Sequence, residues 1–198
     1  MPLKSLLIDL ILSAVLIVGA YQFYFWCQRH VFFEPREFPS GFDRLIPYQP
    51  SWVWIYSLLY YPAILYVNAA LKSSQQFTEV AASYLLLLCA QAGFFLIFPV
   101  RTPECWRRLN ARRTPAERFL AFVQRFDARS NSFPSMHTSV ATLTSLHLYP
   151  QLGVYGLLFP LLIGLSCLFT KQHYLVDIPA GVALGWLVDQ VYLNVIAP

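Results

Sequence analysis

A helix needs about 20 consecutive apolar residues to cross the hydrocarbon core of a bilayer, and this sequence offers such stretches repeatedly. They run from about Leu6 to Trp26, Trp52 to Leu71 and Glu79 to Phe98, from near Ser135 to a break at Pro150, Gln151 and Gly153, then from about Leu152 to Phe169 and Tyr174 to Val195. Only 12% of the 198 residues are charged, against about 25% in soluble domains. Tyr and Trp sit near the ends of the runs, as in interfacial belts. The expected fold is all-α, a polytopic membrane protein with six transmembrane helices, forming one membrane-embedded domain over residues 1–198. Lys4 and the apolar run after it resemble a signal peptide, but bulky Tyr21 to Trp26 favour a retained first helix.

The longest polar segment, Val100 to Ser132, carries eight arginines, Arg129 among them. Within it, Thr114-Pro115-Ala116-Glu117 reads as a helix start, with Thr114 as cap and Pro115 in the first turn. Phe119, Leu120, Phe122, Val123 and Phe126 then form an apolar stripe, the pattern of an amphipathic helix lying in the membrane interface before the fourth span. The net charge of +4 is too small to suggest nucleic acid. Cysteines 27, 89, 105 and 167 have no metal-ligand spacing; Cys89 and Cys167 read as packing residues, and Cys27 and Cys105 are a possible disulfide pair.

Six crossings place both termini on one side and gather the first, third and fifth connections on the other. His137 and His173, 36 positions apart at the two ends of a helical pair, then meet at one membrane face. His173 and Asp177, four apart, share a helix face, so the carboxylate can hold one imidazole nitrogen and free the other as nucleophile or base. Ser135 and Met136 begin the fourth helix, whose free amides favour an anion. His137 follows them as a candidate proton donor. Arg101 and Lys171 reach the same face and would neutralise a phosphate. Two histidines and an aspartate are also a zinc-type donor set. The neighbouring cations would repel such an ion, so no metal or other cofactor is expected. His147, alone near the far end of its span, reads as a packing residue.

At these residues the sequence resembles the type 2 phosphatidic acid phosphatase superfamily. Pro134-Ser135-Met136-His137 corresponds to the family's P-S-G-H, and Ser166-Cys167, five residues, His173 and Asp177 to its S-R-x5-H-x3-D. Arg101-Thr102-Pro103 keeps part of K-x6-R-P, with Phe94 where the lysine would stand. Met136 replaces glycine and Cys167 replaces arginine. The motif-bearing core covers about residues 98–181. The resemblance implies metal-independent chemistry through a phosphohistidine. His173 would be the nucleophile, Asp177 its orienting group and His137 the acid, with Ser135, Met136, Arg101 and Lys171 holding the phosphoryl group. The implied substrate is a membrane lipid phosphate, hydrolysed or passed to an alcohol acceptor. Gln172-His173-Tyr174 beside Lys171 is similar to the branch containing inositol phosphorylceramide synthases, which keeps transfer open; hydrolysis is favoured, because the chain is short and shows no separate acceptor domain. Loss of the lysine and arginine leaves open a non-enzymatic lipid-binding scaffold.

The expected location is a bacterial inner membrane. Twelve of the fourteen Lys and Arg lie in connections on the site's side, which points that side to the cytoplasm, whereas the family resemblance points it outward.

Overall fold

In the computed structural model, which describes residues 3–127 and 130–197, the chain begins with helix α1, Leu3–Arg29. Arg129 lies outside the described residues. Two of the 27 residues of α1 are acidic or basic apart from its terminal Arg29, and most of its residues are exposed, with a half-buried stripe and Asp9, Cys27 and Gln28 buried. That is the appearance of a helix whose solvent is lipid. A short helix, α2 (Gly41–Leu45), follows, capped by Ser40 and Asp43 in a reciprocal box.

The second apolar run is helical over Pro50–Ala70, as a 3-10 turn (Pro50–Trp52), a π-turn (Ile55–Leu59) and helix α3 (Tyr60–Ala70). Helix α4, Ser74–Ile97, starts five residues before the expected position, because the Ser73 side chain accepts Gln76 N–H and caps it. Helix α5 (Glu104–Arg108) and helix α6 (Pro115–Gln124) lie in the arginine-rich segment. Thr114 and Glu117 form the expected capping box on α6. Its apolar face packs on the start of the second run, with Leu120 and Val53 buried together and Phe119 stacked on Trp54 at 5.0 Å.

Helix α7, Met136–Leu152, continues through Pro150, and within the expected break the chain turns at Gly153. Proline in the last turn forfeits only one helical bond, whereas Gly153 has φ +53°, a left-handed backbone that suits glycine. A 3-10 segment (Gly153–Leu157) leads into helix α8, Leu158–Phe169. Helix α9, Asp177–Val191, is extended by a π-turn, Tyr192–Ile196.

Among the described residues, four helical stretches are long and apolar enough to cross a membrane: Leu3–Arg29, Pro50–Ala70, Ser74–Ile97 and Met136–Phe169. The last of these contains the turn at Gly153. Among the described residues there is no strand, and two isolated parallel bridges join Arg36 to Val100 and Val100 to Asn131.

Helices α7 and α9 pack with their backbones close. A Cβ added to Gly181 would lie 2.5 Å from the Ser135 carbonyl oxygen, and one on Gly185 would collide with that of Ser139. Gly181 and Gly185, four apart, face Ser135, Thr138, Ser139 and Thr142, so small residues on both sides allow the approach. This contact sets Met136 and His137, at the start of α7, beside Asp177, at the start of α9.

The connections on the site's side interlock. Phe32 N–H bonds the Leu96 carbonyl at 2.9 Å, Arg101 N–H that of Arg36 at 2.8 Å, Ser132 N–H that of Val100 at 3.0 Å, and Gln49 N–H that of Phe169 at 2.9 Å. Cys27 is buried and Cys105 exposed, and both are free, so the possible disulfide is not formed. Cys89 is exposed rather than packed inside.

Candidate active site

His173 stands in the turn before α9. Its Nδ1 lies 2.8 Å from the Ser132 carbonyl oxygen and 3.2 Å from Asp177 Oδ2. A backbone carbonyl only accepts, so Nδ1 carries a proton, and in the neutral ring Nε2 keeps its lone pair. Asp177 is fully buried, and its Oδ2 also accepts the Tyr174 N–H at 2.9 Å. That second bond fixes the carboxylate in the position from which it orients the ring.

The turn itself is clamped. Tyr174 is fully buried, donates its hydroxyl to the Arg101 carbonyl at 2.8 Å, and packs on Trp106 at 5.1 Å. Lys171 adopts φ +57°, a left-handed backbone uncommon for a side chain with a Cβ, and so reverses the chain just after α8.

His137 occupies the first turn of α7. Its ring stacks on Tyr56 at 4.2 Å and lies 4.9 Å from Tyr60. It meets His173 edge to face at 6.1 Å between centroids. Ser135 caps α7: its hydroxyl accepts Thr138 N–H at 3.3 Å and Thr138 Oγ1 at 3.0 Å, and its own N–H bonds the Asp177 carbonyl at 3.1 Å. The site is therefore assembled from the loop before α7, the α7 start, the turn after α8 and the α9 start.

Cys167, expected to be packing alone, is part of this cluster. It is fully buried on α8, and its Sγ, with one ring nitrogen of each of His137 and His173, forms a set whose atoms all lie within 4.8 Å of one another. Its sequence position, directly after Ser166 where the family pattern carries an arginine, was the available signal.

The two cations are engaged outside the histidine pair. Arg101 Nε pairs with Glu37 Oε1 at 3.2 Å on a half-exposed surface. Lys171 is buried; its Nζ donates to the Asp43 carbonyl at 2.7 Å and lies 5.1 Å from the centre of the Trp106 ring. Burial holds the Lys171 ammonium below its ordinary pKa, with nearby Asp43 opposing that shift. His147 is remote from this face, bonded by its Nε2 to Ser83 Oγ at 2.9 Å and packed on Tyr192.

A cavity of about 590 Å³ opens at the histidines. His137, His173, Ser132 and Met136 line it at one end, and Asn68, Leu71 and Phe77 at the other, with tyrosines and aliphatic side chains of α1, α3 and α4 between. The wall from Tyr56 to Leu71 spans roughly 20 Å at 1.5 Å per residue. Phe119, Phe122, Val123 and Phe126 of the α6 region also face it, so the amphipathic stripe closes one side of the chamber.

Membrane-length apolar helices and a carboxylate-backed histidine facing a second histidine define an all-helical membrane protein with a paired-histidine site. The sequence profile of the PAP2 superfamily matches residues 29–189, and the chain belongs to that superfamily, the type 2 phosphatidic acid phosphatases. Membership points to phosphatase or phosphotransferase chemistry. No curated protein and no solved structure matches the chain.

Proposed function

We propose that this protein hydrolyses a membrane lipid phosphate monoester or pyrophosphate through a phosphohistidine, without a metal ion. The observation that carries this reading is the state of His173. Ser132 and Asp177 hold its Nδ1–H, which leaves the Nε2 lone pair beside a long apolar cavity. In the first step Nε2 attacks phosphorus, the ester P–O bond breaks, and His137 gives a proton to the departing oxygen. In the second, His137 takes a proton from water, whose oxygen displaces the histidine and releases phosphate. Asp177 supports the positive charge on the His173 ring during both steps. Positioning and charge stabilisation are the main contributions such a site makes.

The cavity supports an apolar substrate, because its largely apolar walls match a lipid chain and the histidines at one end match a phosphorylated headgroup. Ser135, the Met136 amide, Arg101 and Lys171 are the proposed phosphoryl grip, the last two after leaving Glu37 and Asp43. The whole chain forms one membrane-embedded unit of six crossings in this reading. The segments Met136–Leu152, Leu158–Phe169 and Asp177–Ile196 supply the last three, and α6 lies in the interface with its apolar face on the cavity. A bacterial inner membrane suits it, with the site turned away from the cytoplasm.

Transfer of the phosphoryl or phospho-headgroup to an alcohol is the second reading, favoured by Gln172 beside His173 on the cavity wall, where an acceptor hydroxyl would find a polar partner. Purified protein given radiolabelled lipid phosphates in EDTA tests both. Release of phosphate by wild type and not by His173→Ala supports hydrolysis. Product formation only with diacylglycerol, ceramide or inositol present supports transfer. No product over a broad lipid panel supports a lipid-binding scaffold.

A further inference from the structure

We propose that His137, Cys167 and His173 form a binding site for zinc, and that zinc bound there blocks the protein by occupying His173 Nε2. The three donor atoms come from the α7 start, α8 and the turn after it, and all lie within 4.8 Å of one another. Zinc bonds of about 2.0–2.3 Å set at tetrahedral angles need donors about 3.4 Å apart, so no pair in the set has to close by more than about 1.4 Å. Movement of the His137 ring and the Cys167 side chain would close the set while His173 keeps its Nδ1 bonds to Ser132 and Asp177.

Three further observations favour a soft divalent ion. Asp177 and the Ser132 carbonyl hold His173 Nδ1–H, the outer arrangement that orients a metal-bound imidazole and strengthens it as a ligand. Thiolate with imidazole suits zinc rather than magnesium or calcium. The positive groups that would repel an ion are turned elsewhere, Lys171 to Asp43 and Trp106, and Arg101 to Glu37. Cys167 itself stands where the family pattern has an arginine, so a fixed cation is exchanged for a metal ligand.

Three protein ligands leave a fourth position for water or another ligand, and two of the three, His137 and His173, line the cavity. On binding, the Cys167 S–H proton leaves to solvent, the Zn–S bond forms, and both imidazoles bind as neutral donors. Nε2 of His173 cannot then attack phosphorus.

Cobalt(II) reports the site without any need for turnover. EDTA-stripped protein in detergent is titrated with Co2+ and followed by absorption. The expected result is a thiolate-to-cobalt band in the near ultraviolet with tetrahedral visible bands, saturating at one ion per chain and displaced by Zn2+. The bands persist in a Cys89→Ser, Cys105→Ser variant and vanish in Cys167→Ser. Asp177→Asn weakens Co2+ binding by about 10–100-fold, the usual effect of losing an outer partner. No thiolate band in folded wild type overturns the proposal, as does a band that survives in Cys167→Ser. Should Cys167→Ser not fold, His137→Gln serves in its place with the same expected loss. Stimulation of phosphate release by Zn2+, instead of inhibition reversed by EDTA, overturns the blocking role. The cobalt result stands apart from the hydrolysis reading, which fails only on the substrate assays.

Discussion

The Asp43 carboxylate accepts the Leu175 N–H at 2.7 Å, across 132 positions of sequence. The same residue receives Lys171 Nζ on its main-chain carbonyl and caps α2 through Ser40. The first connection thereby grips the turn that carries His173 on both sides of the ring. Asp43→Ala removes a buried charged acceptor, and such hydrogen bonds contribute about 1.5–3 kcal/mol each. The expected outcome is a lower Tm with a larger proportional loss of kcat than of membrane insertion. A variant with unchanged Tm and turnover shows that the clamp is dispensable.

Asp177→Asn keeps the size of the side chain but removes the charge behind His173. His137→Ala removes the proposed acid, a role that contributes typically about 10²–10⁴-fold. Both lower kcat by about that factor in the same lipid phosphate assay. A substrate with a better leaving group recovers activity in His137→Ala more than in Asp177→Asn, because it needs no proton. Equal recovery removes the distinction between acid and orienting group.

Packing of α7 on α9 makes a stability prediction with an internal control. Gly185→Val pushes a side chain into the Ser139 carbonyl, and overpacking costs typically about 1–3 kcal/mol. Gly93, inside α4, has open space where a Cβ would stand, so Gly93→Ala gains about 0.5–1 kcal/mol from helix propensity. Thermal unfolding in detergent separates the two, with Gly185→Val falling and Gly93→Ala rising. Equal and opposite signs to these contradict the contact.

Lys171 makes a pH prediction. Its pKa is lowered in the folded protein, chiefly by burial, so the unfolded chain binds more protons between the folded value and the ordinary lysine value of about 10.4. Stability then rises with pH through that window and is lost as pH falls through the folded pKa. Tyr48 moves the opposite way, its phenol pushed up to about 12 by burial and by Glu117, so its contribution falls as pH rises above the ordinary tyrosine value of about 10. Subtracting the Tm profile of Lys171→Met from wild type cancels Tyr48. The difference should rise with pH below about 10; a flat difference contradicts the shift.

The sequence made some of this legible and hid the rest for physical reasons. The meeting of His137 with His173 and Asp177 followed from two apolar runs joined by a turn, and the α6 start followed from Thr114 and Glu117. Of the residues named at the break, Gly153 makes the turn, because a proline near a helix end breaks little while Gly153 supplies the conformation. Gly181 and Gly185, four apart, carry a close-packing signal whose partner helix only the fold identifies. The family pattern marked Cys167, where it stands for an arginine, but an apolar run does not say which of its residues points to a site. The partners of Lys171 and Arg101 were not legible: a mobile cation can reach many carboxylates and carbonyls, and only the fold brings Asp43 and Glu37 within range.

The central claim is that His173 carries the phosphoryl group. Rapid-quench labelling with a 32P lipid phosphate, analysed for protein-bound label that survives base and is lost in acid, tests it most directly. Wild type should show transient label on the peptide containing His173, with accumulation in His137→Ala where its removal is slowed, and none in His173→Ala. Phosphate release with no such label, or label that persists in His173→Ala, contradicts the account.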